Sequence, residues 1–156
     1  MNLIDEINLR RNFFAQNFPM IKIARQRFDV NSNEILKNTC PVCGYLTLDE
    51  RVSFEICPIC FWEDDGIDDY EKDFESGPNH MTLTEARNIF IELKNQLLLF
   101  NFDTNSIGFK IKSKLTKLDE LIALEDFNKS EILKIQDELI NLFDSNEIFG
   151  IAKLLK

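Results

Sequence analysis

Glycine is scarce here, with 5 residues in 156, and histidine and tryptophan each occur once. The scattered glycines form no phosphate-cradling pattern. The lone histidine, His80, would have to carry any Ser-His or Cys-His chemistry by itself. No run of 18 or more apolar residues occurs, so no membrane-spanning helix is expected. The start, MNLIDEINLRRNFF, places acidic residues ahead of its first arginine and lacks the apolar core of a secretory signal. What is present is the composition of a soluble globular protein, 44% hydrophobic and 29% charged, with 14 phenylalanines to supply core area.

All four cysteines lie in two C-P-x-C pairs, Cys40 with Cys43 and Cys57 with Cys60, in the spacing C-x2-C-x13-C-x2-C. Two residues between cysteines let a tight turn aim both sulfurs at one point, and an intervening hairpin brings the second turn to face the first. The result is a tetrahedral metal site. Pro41 and Pro58 stiffen the turns, and Gly44 supplies backbone freedom beside the sulfurs. A thiol redox centre would need one such pair at a helix start in a βαβ pattern, which is absent. Rubredoxin-like iron also suits four thiolates, but its pairs are usually spaced more widely, so structural Zn2+ is favoured. Four protein ligands leave no open position for water, which disfavours zinc hydrolysis. Ligand thiols also point to the reducing cytosol.

The formal charge of -9 is local. Residues 40–80 carry two Lys/Arg against eleven Asp/Glu, whereas 1–39 and 81–156 are nearly balanced. The acidic run comprises Glu63, Asp64, Asp65, Asp68, Asp69, Glu71, Asp73 and Glu75. It lacks the oxygen register and glycine of a helix-loop-helix calcium site. The remaining readings are a solvated face or a surface for a basic protein partner. Nucleic acid would be repelled here, leaving only Arg10, Arg11, Lys22, Arg25 and Arg27, or Lys110, Lys112, Lys114 and Lys117, as a basic patch elsewhere. Phe61 and Trp62 read as shields of the metal turn first and as binding anchors second.

Helical spacing marks the flanks. Leu3, Ile4, Ile7 and Phe14 share a face, and Pro19 suits the start of a second helix through Ile23, Ala24 and Phe28. Between the cysteine pairs, a strand over Tyr45–Leu48, a turn over 49–52 and a returning strand over Ser53–Cys57 are expected. The acidic stretch reads as a surface loop closing at Gly77 and Pro78. Thr82 and Glu85 form a capping box before a long helix from Leu83, with Ala86, Ile89, Phe90, Leu93, Leu97 and Phe100 on its stripe. Further stripes run through Leu115, Leu118, Leu121 and Ile122, then through Ile132, Ile135, Gln136, Leu139 and Phe143 behind an Asn128/Glu131 cap. A last one runs through Ile148, Ile151, Ala152 and Leu155.

The stretch CPVCGYLTLDERVSFEICPICFWEDD, followed by GPNHMTLTEARNIF, resembles the cysteine-rich CPCC family of small proteins. The similarity covers about residues 39–90 and implies a metal-binding ribbon without a settled activity. The chain departs from it at Val42, which stands where the second cysteine of C-P-C-C would be.

These readings together predict an α+β protein: a zinc ribbon of two C-P-x-C knuckles on a β-hairpin, on a mainly α-helical body of about five helices. Its parts are N-terminal helices over 1–39, the ribbon with its acidic loop over 40–80, and a helical region over 81–156, in one compact domain. The expected function is a non-enzymatic, cytoplasmic protein-binding module, with the eight carboxylates facing a basic partner such as a toxin. The alternatives are a nucleic-acid-binding or regulatory ribbon and an enzyme built on His80.

Overall fold

The computed structural model of the chain describes residues 3–18 and 37–156. The second N-terminal helix expected after Pro19 lies outside them. The elements in order are α1 (Leu3–Asn17), β1 (Asn38–Thr39), β2 (Leu46–Leu48), β3 (Glu75–Ser76), β4 (Met81–Thr82), α2 (Leu83–Leu99), α3 (Ile107–Ile122) and α4 (Lys129–Ser145). Short 3-10 turns occur at Asp69–Glu71 and Ile151–Leu155. The described residues are thus α+β, a mostly helical chain with two small antiparallel sheets.

The chain divides into two compact units, Met1–Cys57 with Phe61–Phe90, and Pro58–Cys60 with Ile91–Lys156. In the first, Ile7 and Phe14 of α1 are fully buried, as their helical spacing predicts. Tyr45, Leu48, Leu83 and Phe90 join this core, with the rings of Tyr45 and Phe90 meeting edge to face at 6.5 Å. Burial of each such side chain contributes about 1.5–3 kcal/mol. The capping box that starts α2 is reciprocal: the Thr82 N–H donates to Glu85 Oε2 at 2.9 Å, and the Glu85 N–H donates to Thr82 Oγ1 at 3.1 Å.

In the second unit α3 packs on α4, burying Ile111, Leu115 and Leu118 of one and Ile132, Leu139 and Phe143 of the other. The Asn128 side chain accepts from the Glu131 N–H as the cap spacing predicts. Helix α3 starts earlier than its leucine stripe suggests, because the Ser106 hydroxyl accepts from the Phe109 N–H and opens it at Ile107. Lys94 is buried and paired with Asp119 at 2.6 Å, so the stripe of α2 is not wholly apolar. The final stripe forms a 3-10 turn over Ile151–Leu155 instead of an α-helix. The N–H groups of Gly150 and Ile151 are committed elsewhere, to the carbonyls of Pro58 and Ile59 at 3.0 and 2.8 Å.

The strand pairing differs from expectation. Leu46–Leu48 pairs with Asn38–Thr39, across the first cysteine turn. Residues 53–57 form no named strand; Ile56 makes an isolated bridge to Glu63, across the second turn. Each C-P-x-C turn therefore closes its own small hairpin. Val52 and Phe54 explain why no long returning strand forms: both hold left-handed backbone, at φ 62° and 61°.

Candidate metal centre and the acidic segment

The two cysteine turns repeat one hydrogen-bond plan. In the first, the Cys40 N–H donates to Tyr45 O at 2.9 Å and the Gly44 N–H returns to Cys40 O at 2.9 Å. In the second, the Cys57 N–H donates to Trp62 O at 2.8 Å and the Phe61 N–H returns to Cys57 O at 2.9 Å. The residue after the second cysteine must take left-handed backbone in both, Gly44 at φ 80° and Phe61 at φ 69°. Glycine meets this without strain, and it also allows close approach, since a Cβ at Gly44 would lie 2.9 Å from the Ile7 carbonyl. Phe61 pays a steric cost for the same turn and leaves its ring about half exposed.

This plan brings the four sulfurs together. The Sγ atoms of Cys40, Cys43, Cys57 and Cys60 all lie within 4.8 Å of one another, and those of Cys43 and Cys57 are 3.7 Å apart. A tetrahedron with metal–sulfur bonds near 2.3 Å has edges of about 3.8 Å, so the donor set fits a four-coordinate thiophilic ion. The backbone contributes as well: the Val42 N–H points at Cys40 Sγ at 3.4 Å. Thr47 Oγ1, on a buried side chain, donates to Cys57 Sγ at 3.1 Å. Such donors to ligand sulfurs are the outer partners that orient a metal site. At position 42 it is the amide that serves the cluster, so the thiol missing from the C-P-C-C pattern leaves the four-sulfur set complete.

Arginines hold the first turn from outside. Arg10 Nε donates to Cys43 O at 2.9 Å while its guanidinium stands 4.3 Å over the Tyr45 ring. Arg87 Nε donates to Pro41 O at 2.9 Å, and its Nη2 reaches Asp69 Oδ1 at 2.7 Å. Arg11 binds both Asp68 and Asp69. Arg51 binds Asp64 at 2.7 Å and Asp68 at 3.2 Å.

These partners sort the eight carboxylates. Asp64 is fully buried, accepting from Arg51, the Val52 N–H at 2.9 Å and the Gly66 N–H at 3.3 Å. Asp65 accepts from Ser76 Oγ and the Ile67 N–H. Glu63 is tied through its backbone to the Asn79 side chain, its N–H donating and its carbonyl accepting. Asp68 is partly buried, and Asp69 is exposed though paired. Glu71 is half-buried, while Asp73 and Glu75 are exposed on a segment closed by the β3–β4 turn at 77–80. The stretch expected as a surface loop is mostly without regular structure, yet these bonds tie it down, and its fully buried acid stands next to its start.

Burial works to lower the Arg51 pKa, but hydrogen bonding to and the charges of Asp64 and Asp68 outweigh it and hold the guanidinium above its ordinary value. Burial works to raise Asp68, but the charge of Arg11, the Asp69 N–H and Arg51 outweigh it, so this carboxyl lies below its ordinary range. A depressed folded pKa gives stability that is present above the unfolded value, near 3.9, and is lost as pH falls through the folded one. The stability difference between wild type and Asp68→Asn is therefore expected at pH 6 and should shrink below about pH 4. Parallel denaturation series across that range test it. A difference that persists undiminished to about pH 2 contradicts it.

Trp62 is buried, as a shield of the metal turn should be, and Phe61 is not. His80 is exposed and turns the β3–β4 hairpin with its N–H on Ser76 O, at φ 55°. Of the basic residues considered for nucleic acid, Arg10 and Arg11 are committed internally. Lys112 donates to Phe100 O and Lys114 pairs with Glu138, while Lys110 and Lys117 are exposed. Lys22, Arg25 and Arg27 lie outside the described residues. Among the described residues no helix is long and apolar enough to cross a membrane.

Local patterns gave the cysteines but missed Arg51, Arg87 and Thr47, and offered Arg10 and Arg11 only as part of a basic patch. The one available signal was the density of acids itself, which requires internal cations wherever a carboxylate is buried.

Residues 38–94 match the family described as Cysteine-rich CPCC. No curated protein and no solved structure matches the chain.

Proposed function

We propose that this protein is a zinc-stabilised, non-enzymatic, cytoplasmic protein-binding module whose acidic segment engages a basic protein partner. In its concrete form it is an immunity protein that neutralises a cationic toxin such as a nuclease. Zn2+ would be held by Cys40, Cys43, Cys57 and Cys60 and would supply structure, since four thiolates fill its coordination. The observation that carries the reading is the charge of residues 40–80, which thiolates around one Zn2+ would make more negative still. Carboxylates on such a segment steer a cationic protein to the surface and occlude a phosphate-binding site.

The test has two parts. Metal analysis of the purified protein is expected to find one zinc per chain and no iron-type visible absorption. The product of a neighbouring toxin-like gene, co-expressed with this protein, is expected to bind it with strong salt dependence and to lose activity. A partner that neither binds nor is inhibited overturns the immunity reading.

A further inference from the structure

The turn at residues 68–75 is tied down along its length yet presents two aromatic rings to solvent. Asp68 caps it by accepting from the Asp69 N–H at 2.8 Å, and Arg11 and Arg87 hold Asp69. The Thr84 N–H donates to Lys72 O at 3.1 Å and its Oγ1 to Asp73 Oδ1 at 2.9 Å, and the β3–β4 pairing fixes Glu75. On this mount Tyr70 is 83% exposed and Phe74 66%.

The charge carried by the turn itself is one-sided. Asp68 and Asp69 are answered by internal arginines, whereas Glu71, Asp73 and Glu75 have no salt-bridge partner among the described residues. Only Lys72 opposes them within the turn. Exposed aromatics on a fixed backbone lose little side-chain freedom on binding, which is why Tyr is enriched among interface residues that dominate affinity. Exposed rings that alternate along the chain with carboxylates match one cation best: a guanidinium stacks flat on a ring and still offers N–H groups to a carboxylate. An ammonium ion offers attraction without that planar fit.

We propose that Tyr70 and Phe74 are the anchors of this surface, and that its occupant is a basic protein surface whose arginines lie on the two rings and meet Glu71, Asp73 and Glu75. This rests on the acidic-face reading above and adds to it the residues that grip. Carboxylates set the rate of encounter and its salt dependence, and the rings set the rate of release.

Nona-arginine and nona-lysine peptides, equal in charge, serve as probes in titrations against the metal-saturated full chain at several salt concentrations. Nona-arginine is expected to bind more tightly than nona-lysine, and the double variant Tyr70→Ala/Phe74→Ala to weaken nona-arginine by about tenfold or more while largely erasing that preference. Asp73→Asn/Glu75→Gln is expected to weaken both peptides and flatten the salt dependence. If the ring variant binds nona-arginine as wild type does while the carboxylate variant does not, the anchor assignment is overturned and the acidic-face reading survives. If neither variant changes binding, or wild type binds neither peptide, both are overturned. All four side chains are exposed, and Asp73→Asn keeps an oxygen acceptor for Thr84 Oγ1, so unchanged metal content and amide spectra should accompany each variant.

Discussion

Stripping the purified protein with a strong chelator, or replacing Cys57 by Ser, is expected to unfold residues 40–80. The secondary structure around the cysteines is minimal: β1 and β2 have two and three residues, and the second turn is closed by a single bridge. Backbone ordering costs roughly 1–2 kcal/mol per residue, which hairpins this short do not recover by themselves. Structural zinc contributes about 10–16 kcal/mol in small metal-held peptides, far more than any single contact here. Hydrogen exchange is the measurement. The amides of Cys40, Gly44, Cys57 and Phe61, all bonded within the turns, should lose protection first and together. Helices α3 and α4 have their own apolar interface and should keep theirs. Unchanged exchange over residues 40–80 after complete metal removal would falsify the structural role of the metal.

The second large effect concerns Asp64. Replacing it by Ala leaves Arg51 without its closest acid and the Val52 and Gly66 N–H groups without their carboxylate acceptor. Removing one partner of a buried ion pair costs about 3–5 kcal/mol. Arg51 is itself partly exposed, so the lower end of that range applies. The loss should be local before it is global. Val52 and Phe54 hold unfavourable left-handed backbone, and Asp64 anchors both, accepting from the first with its side chain and from the second with its carbonyl. Asp64→Ala is therefore expected to release residues 51–56 into fast exchange and to lower the denaturant midpoint of the metal-saturated protein. Arg51→Met, which leaves Asp64 two backbone donors, should cost less. A change within about 1 kcal/mol for Asp64→Ala would show that the acid is dispensable.

Asp64 also marks where a sequence reading of charge stops being informative. Eight acids in thirteen positions look alike as letters, and a run of like charge ordinarily means a solvated face. Folding distributes them unequally, because Arg11, Arg51 and Arg87 arrive from other parts of the chain. Two of those arginines are separated by 57 and 18 residues from the acids they meet, and pairs that distant leave no trace in local periodicity. The outward remainder, Glu71, Asp73 and Glu75, is smaller than the composition implies. The rings beside it were not singled out, since a stretch without periodicity carries no stripe to show which of its aromatics face solvent.

By itself, the sequence determined whatever depends on spacing within a few residues. It identified the four thiols that converge, since a two-residue gap dictates the turn. It placed the caps at Thr82 and Asn128 and most of the buried stripes of α1, α3 and α4, because a helix brings residues three and four apart onto one side. Tertiary structure decided what depends on meeting across distance. It closed each cysteine turn into its own hairpin, since Val52 and Phe54 are held in backbone that no extended strand adopts. It spent the N–H groups of Gly150 and Ile151 on the second turn, and it withdrew Asp64 from the surface while leaving Tyr70 and Phe74 upon it. The physical reason is the same in each case: a hydrogen bond or ion pair is fixed by which groups are left without water, and that is known only once the chain has closed on itself.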